Sequence, residues 1–185
     1  IWTCYEILLL LSCANGYVAM ITPSENPVMF IALFFLVPFV HEVGFYFAHR
    51  FLHFPWLYRI AHHLHHRNNN PGPWSGLSMH PLEHIIYFSS ALIFFILPAH
   101  PIHMINLLSR LGLAPAQGHT GFDRVATGDS SSLDTSYYAH YLHHKYFEVN
   151  YADGIVPLDK WFGSFHDGTA EAHEAMKHRR RKRGI

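Results

Sequence analysis

Residues 28–48 form a near-continuous apolar run, broken by Pro38, His41 and Glu42, that leads directly into histidine at position 49. At about 1.5 Å per residue, a helix of that length crosses a hydrocarbon core of roughly 30 Å. Residues 1–21 form a second apolar run, interrupted by Glu6, Asn15 and Gly16. The link at 22–27 reads Thr-Pro-Ser-Glu-Asn-Pro, a loop by composition. Both runs read as transmembrane helices. The alternative is a pair of buried helices in a soluble bundle, and the length and unpatterned character of the 28–48 run disfavour it. Only 14% of the chain is charged, against about 25% in ordinary soluble domains.

Net charge is zero but unevenly distributed: no Lys, Arg or His precedes His41, and six of 13 basic residues lie in Lys177–Arg183. Arg50, Arg59 and Arg67 follow the 28–48 run, whereas the 22–27 loop has no basic residue. The positive-inside rule then assigns the His49–His66 side to the cytoplasm. The basic tail reads as a solvated flank on that side. No basic face or motif suggests nucleic acid. Cys4 and Cys13 read as buried thiols, neither a disulfide framework nor a zinc knuckle. The chain opens on Ile1 rather than Met, as expected of a piece of a longer protein, and residues 1–21 lack the basic n-region of a signal peptide.

Further on, residues 81–97 and 102–114 are shorter apolar segments joined by Pro98-Ala-His-Pro101. They are expected to form a membrane hairpin, spanning or re-entrant, that returns the chain to the side it left. Residues 67–76 and 117–136 read as loops. The expected whole is one all-α domain over 1–185. It has about four membrane-embedded helices (1–21, 28–48 and the hairpin 81–114), a cytoplasmic cap (49–80 and 115–170) and a basic tail (171–185).

The chemistry lies in the spacing of the 18 histidines. His49 and His53 are i, i+4; His62, His65 and His66 are i, i+3, i+4; His140, His143 and His144 repeat that pattern. On helices each set shares a face. Packing gives no reason to stack imidazoles, whereas a metal does, since neutral imidazole ligates Fe, Zn, Cu and Ni. Eight ligands exceed the need of one ion, so two ions with four or five nitrogens each are expected. The clusters hold no cysteine and few carboxylates, which argues against a structural zinc finger and the Glu-x-x-His bundle site. Glu42 and Tyr46 fall on the face of His49 and His53. Glu42 could accept a ligand's N–H or make a helix–helix hydrogen bond. Asp123, Asn150, Asp153 and Asp159 are further polar candidates.

These three sets, after paired apolar helices, resemble the histidine boxes of the fatty acid hydroxylase/sterol desaturase superfamily. Met79-His80-Pro-Leu-Glu83, His119-Thr-Gly-Phe-Asp123, Asn150-Tyr-Ala-Asp-Gly154 and Leu158-Asp-Lys-Trp-Phe-Gly163 resemble further motifs of that family. One departure is Gly163-Ser164 where the family closes on Gly-Thr. The resemblance implies an O2-dependent, non-haem di-iron membrane oxidoreductase that hydroxylates or desaturates a lipid. Its electrons would come from a donor such as cytochrome b5 or a ferredoxin/reductase. It implies two Fe ions, with Zn possible in purified material, held by His49, His53, His62, His65, His66, His140, His143 and His144. His119 is the next candidate ligand, followed by His80 and His84. His63 lies off the shared face, and His41, His100, His103, His166, His173 and His178 are not expected to ligate. Phe45, Phe47, Phe51 and Trp56 are candidates for a lipid slot, though bilayer-facing positions suit them as well. A sterol or fatty acyl substrate is expected, with carotenoid or other lipid hydroxylation as the alternative. A rival of another class is a histidine-rich membrane metal-binding or transport protein, which predicts ionisable groups spread through the spans.

Overall fold

A computed structural model describes residues 1–154 and 156–183. The last two residues of the basic tail lie outside the described residues. The chain is mostly helical, with one two-stranded sheet.

Helix α1 (Trp2–Ala14) leads through a turn to α2 (Pro27–Leu52). Asn26 starts α2 by accepting the N–H of Met29 at 3.1 Å, and Pro27 supplies a pre-set φ at the first position. Among the described residues α2 is the one helix long and apolar enough to cross a membrane. Its outer stripe stays uncovered: Val28, Ile31, Phe35, Phe39, Val43 and Phe47 are all exposed. A helix in the middle of a soluble bundle would hide that stripe.

The segment after α2 is a continuous helical run in three parts: α3 (Pro55–Leu57), a π-helical turn (Tyr58–His62) and α4 (His63–His66). The expected hairpin is unequal. Helix α5 (Pro81–Phe88) passes into a 3₁₀ stretch (Ser89–Phe95), and only the return arm, α6 (Pro101–Gly118), is long. His80 and His100 cap the two arms, their Nδ1 atoms accepting from the N–H groups of Leu82 and Ile102.

The 117–136 stretch is not all loop. Strands β1 (Arg124–Ala126) and β2 (Ser132–Asp134) pair antiparallel with Val125 opposite Leu133, so the all-α expectation is corrected here. Both strands are exposed and short, and residues 127–131 join them with too little apolar periodicity to signal a strand. Helices α7 (Tyr137–Tyr146), α8 (Leu158–Trp161) and α9 (Ala170–Arg183) complete the chain.

The core joins α1, α2, α5, the 3₁₀ stretch and α6 through Leu9, Leu33, Val37, Phe88, Phe94 and Leu107. Gly44 lets α2 approach Ser90 so closely that any β-carbon there would collide with it. A smaller cluster packs Tyr151, Ala152 and Leu158 onto Tyr46, near the C-terminal end of α2. Both cysteines are free; Cys4 is exposed, not buried as expected, and Cys13 contacts the sulfur of Met104 at 3.5 Å.

Candidate metal centre

Four stretches of the chain deliver histidine to one place. The last turn of α2 brings His49, and His53 follows at its C-cap. The π-turn and α4 bring His62, His65 and His66, the end of α6 brings His119, and α7 brings His140, His143 and His144. Among the described residues the side chains form two groups, each with ligand atoms within 4.8 Å of one another. One comprises His49, His53, His62, His66 and His143; the other comprises His65, His119, His140 and His144. All but His53 are buried.

In the first group the Nε2 atoms close a ring: His53 to His143 at 3.2 Å, and His62 to His53, His66 to His62 and His143 to His66 at 3.0 Å each. The protons of several of these rings are already committed on the opposite side. His62 Nδ1–H donates to Glu83 Oε1 at 2.6 Å, His143 Nδ1–H to the Val149 carbonyl at 2.6 Å, and His49 Nδ1–H to the Tyr151 carbonyl at 2.9 Å. With these partners, the tautomer leaves an Nε2 lone pair facing inward. Converging buried lone pairs repel one another unless a cation lies between them. Nitrogens bound to one ion at about 2.0–2.1 Å sit about 3 Å apart when adjacent, so the donor set fits a metal.

The second group follows the same rule. His144 Nδ1–H donates to the Asn68 carbonyl at 2.9 Å and His65 Nδ1–H to the Ser78 carbonyl at 3.3 Å. Ser75 gives its hydroxyl proton to the Gly72 carbonyl at 2.7 Å and so accepts His119 Nδ1–H at 2.9 Å. His144 Nε2 is buried without a hydrogen-bond partner, the state expected of a ligand atom whose ring proton is committed on the other nitrogen.

Electrostatics favours the neutral, ligating form. Burial, reinforced by neighbouring imidazoles, holds His53, His62, His65, His140 and His143 well below the ordinary histidine range. Burial also pushes His144 down to about 3 and His119 to about 4.

Around the rings stands a supporting layer. The Asp159 carboxylate accepts the N–H groups of Tyr151 at 2.9 Å and Ala152 at 2.8 Å, and the Ser164 hydroxyl at 2.6 Å. It thereby fixes the peptide whose carbonyl holds His49. Asn150, at φ +54°, donates to the carbonyls of Ala139 and His166 and accepts the His166 N–H. Glu42 accepts the N–H of Gly154 at 2.8 Å, which ties α2 to this supporting segment. Arg50 donates to the Tyr46 hydroxyl.

Nine of the ten metal-ligand candidates converge, His119 included. His80 does not join either group; it caps α5. His84 stacks against Phe88 instead, and His63 points to solvent. Asp123 is exposed. Of the four aromatics considered for a slot, Phe45 lines a cavity beside the histidines, while Phe47, Phe51 and Trp56 are exposed. Sequence reasoning missed Glu83 as a partner of His62, although Glu83 stands in a motif with an available signal, a carboxylate two residues after a helix-starting proline. It also missed the backbone carbonyls, which carry no sequence signal.

Comparison with known proteins agrees with this geometry. The chain is 29% identical over 168 residues to a Delta(7)-sterol 5(6)-desaturase of Aspergillus fumigatus, covering 77% of this chain and 52% of that relative. It is 29% identical over 133 residues to the Saccharomyces cerevisiae Delta(7)-sterol 5(6)-desaturase, covering 71% and 35%. A putative Delta(7)-sterol-C5(6)-desaturase of Arabidopsis thaliana is 30% identical over 141 residues, covering 74% and 48%. The chain thus spans about half or less of the curated relatives it matches. No solved structure matches it. The family model described as fatty acid hydroxylase matches residues 32–164, a stretch that takes in every clustered histidine, and the chain belongs to the fatty acid hydroxylase family.

Proposed function

We propose that this chain carries the catalytic core of an O2-dependent, non-haem di-iron membrane oxidoreductase that hydroxylates or desaturates a lipid. The observation that carries the reading is the pair of buried imidazole groups, five and four strong, with ring protons committed outward and lone pairs turned inward. His49, His53, His62, His66 and His143 would hold one ion, and His65, His119, His140 and His144 the other. Bound iron would supply the redox chemistry with O2 that attack on an unactivated C–H bond requires.

The protein's own part is to fix the rings, exclude water and present the lipid. Glu83 and the carbonyls of Asn68, Ser78, Val149 and Tyr151 lock ring orientation, which raises ligand basicity. Phe45, Leu52 and Tyr87 wall the adjoining cavity with apolar surface. A sterol is the favoured substrate class, because the relatives above are named sterol desaturases. The electron donor is a protein of the cytochrome b5 or ferredoxin/reductase kind. The chain would be multi-pass, with α1, α2 and the 81–114 hairpin in the bilayer and the histidines on the cytoplasmic side. The exposed apolar stripe of α2 and the arginines after it support that orientation. Histidines gathered at one place, not spread along the spans, disfavour a transport protein.

Metal analysis of detergent-purified protein, combined with lipid profiling of cells with and without the chain, tests the reading. About two irons per chain and one new oxygenated or desaturated lipid are expected. Stoichiometric zinc that activity requires would sink it.

A further inference from the structure

If the chain oxidises a lipid, that lipid must reach the histidine groups. The cavity beside them, walled by Phe45, His49, His62, His65, His119 and His140, has a volume of about 20 Å³. That is room for about one water-sized molecule, too little for any segment of a lipid. Asp153 also lines this cavity. The same residue lines an open cleft of about 460 Å³ between α2, α6 and the β-hairpin. Asp153 is therefore the wall shared by the two spaces. By contrast, a groove of about 420 Å³ between α2 and the 3₁₀ stretch, lined by Val43 and Ser90, shares no residue with the inner cavity.

The cleft is amphipathic. Ala114, Val125 and Leu133 supply apolar surface, and Arg110, Gln117 and Tyr137 supply polar groups. Its inner end is narrowed by a contact between His41 Nε2 and Asp153 Oδ2 at 3.4 Å. Two features make the walls movable. Pro38, within α2, lines the cleft, and a proline inside a helix removes one backbone hydrogen bond. The hairpin wall has only three paired positions, and such a ribbon is marginally stable by itself.

We propose that this cleft is the lipid-access site and that the His41–Asp153 contact is its inner threshold. The occupant is an amphipathic lipid of about sterol size. Its hydrocarbon body lies against Ala114, Val125 and Leu133, with its polar end among Arg110, Gln117 and Tyr137. Movement of the Asp153 side chain opens the way to the inner cavity. The inference rests on the lipid-oxidising reading above.

The test uses the full chain in detergent, titrated with a fluorescent 3-hydroxysterol and, separately, a fluorescent fatty acid, with iron content measured in parallel. Leu133→Trp narrows the cleft from the exposed hairpin, where it leaves the core undisturbed. Ala114→Leu narrows it from α6, and Val43→Trp fills the other groove as a control. The expected result is at least tenfold weaker sterol binding in Leu133→Trp and Ala114→Leu, with iron uptake unchanged and Val43→Trp like the parent. Parent-like binding in both cleft variants would overturn the proposal, as would loss confined to Val43→Trp or binding of neither probe by the parent. A chain that binds sterol as expected but no iron would leave the cleft standing and remove the di-iron reading.

Discussion

His62 holds two kinds of partner at once: the Glu83 carboxylate at Nδ1 and the imidazoles of His53 and His66 at Nε2. Both members of the carboxylate pair are almost wholly buried. Removing one partner of such a pair leaves the other unsatisfied, and carboxylates that orient metal-bound histidines are typically worth 10–100-fold in metal affinity. Glu83→Ala is therefore expected to weaken metal retention by about that factor, measured by chelator competition, while His63→Ala at the solvent face has no effect. Equal retention in both variants would refute the role given to Glu83. His143 contributes a ring to the first group and is fixed by the Val149 carbonyl. His143→Ala should abolish turnover and leave membrane insertion intact, as read by lipid profiling and membrane fractionation.

Among the elements, α7 and the segment after it carry the most constraint. Three non-glycine residues adopt left-handed backbone conformations there: Ser136 before α7, Phe147 at its end and Asn150 beyond. Such conformations each cost of order 1–3 kcal/mol and persist only where the surroundings over-determine them. Phe147 and Asn150 flank the Val149 and Tyr151 carbonyls, which accept from His143 and His49. Asp159 anchors that stretch through two buried N–H groups. Asp159→Ala should lower stability by about 1–3 kcal/mol for each donor left unpaired. The same change should loosen His49, so iron content falls along with the thermal midpoint in detergent. A variant with lowered stability and full iron content would separate the two roles. Little of this element was legible in advance. The i, i+3, i+4 spacing placed His140, His143 and His144 on one buried face of α7, as the structure has them, because a helix converts spacing into direction. The left-handed residues gave no signal, since Phe147 and Ser136 do not ordinarily favour that region. The β-hairpin was hidden for a related reason: its strands are short and exposed, with no buried face to impose alternation.

At the scale of the molecule, burying eight of the nine clustered imidazoles makes the metal-free protein acid-sensitive. His119 is held at about 4 and His144 at about 3, against an unfolded value of about 6.5. Above pH 6.5 both are neutral folded or unfolded, and nothing is lost. Below it the unfolded chain takes up protons that the folded chain refuses, so stability falls with falling pH. The loss amounts to about 1.4 kcal/mol per pH unit for each histidine. It should run down to about pH 4 for His119 and about pH 3 for His144. Denaturant titration of metal-stripped protein from pH 7.5 to 4.5 checks this; a flat profile would contradict the buried neutral rings.

The outward ring protons rest largely on main-chain carbonyls, at Asn68, Ser78, Val149 and Tyr151. A carbonyl belongs to every amino acid, so this part of the site is insensitive to which residue stands there and sensitive to how many residues precede it. Asn68 and Ser78 have side chains at or near the surface, and a substitution scan should find them permissive. Deleting one residue between 67 and 78 should be as damaging as losing a histidine. The centre is thus encoded twice, in the identity of its histidines and in the length of its loops.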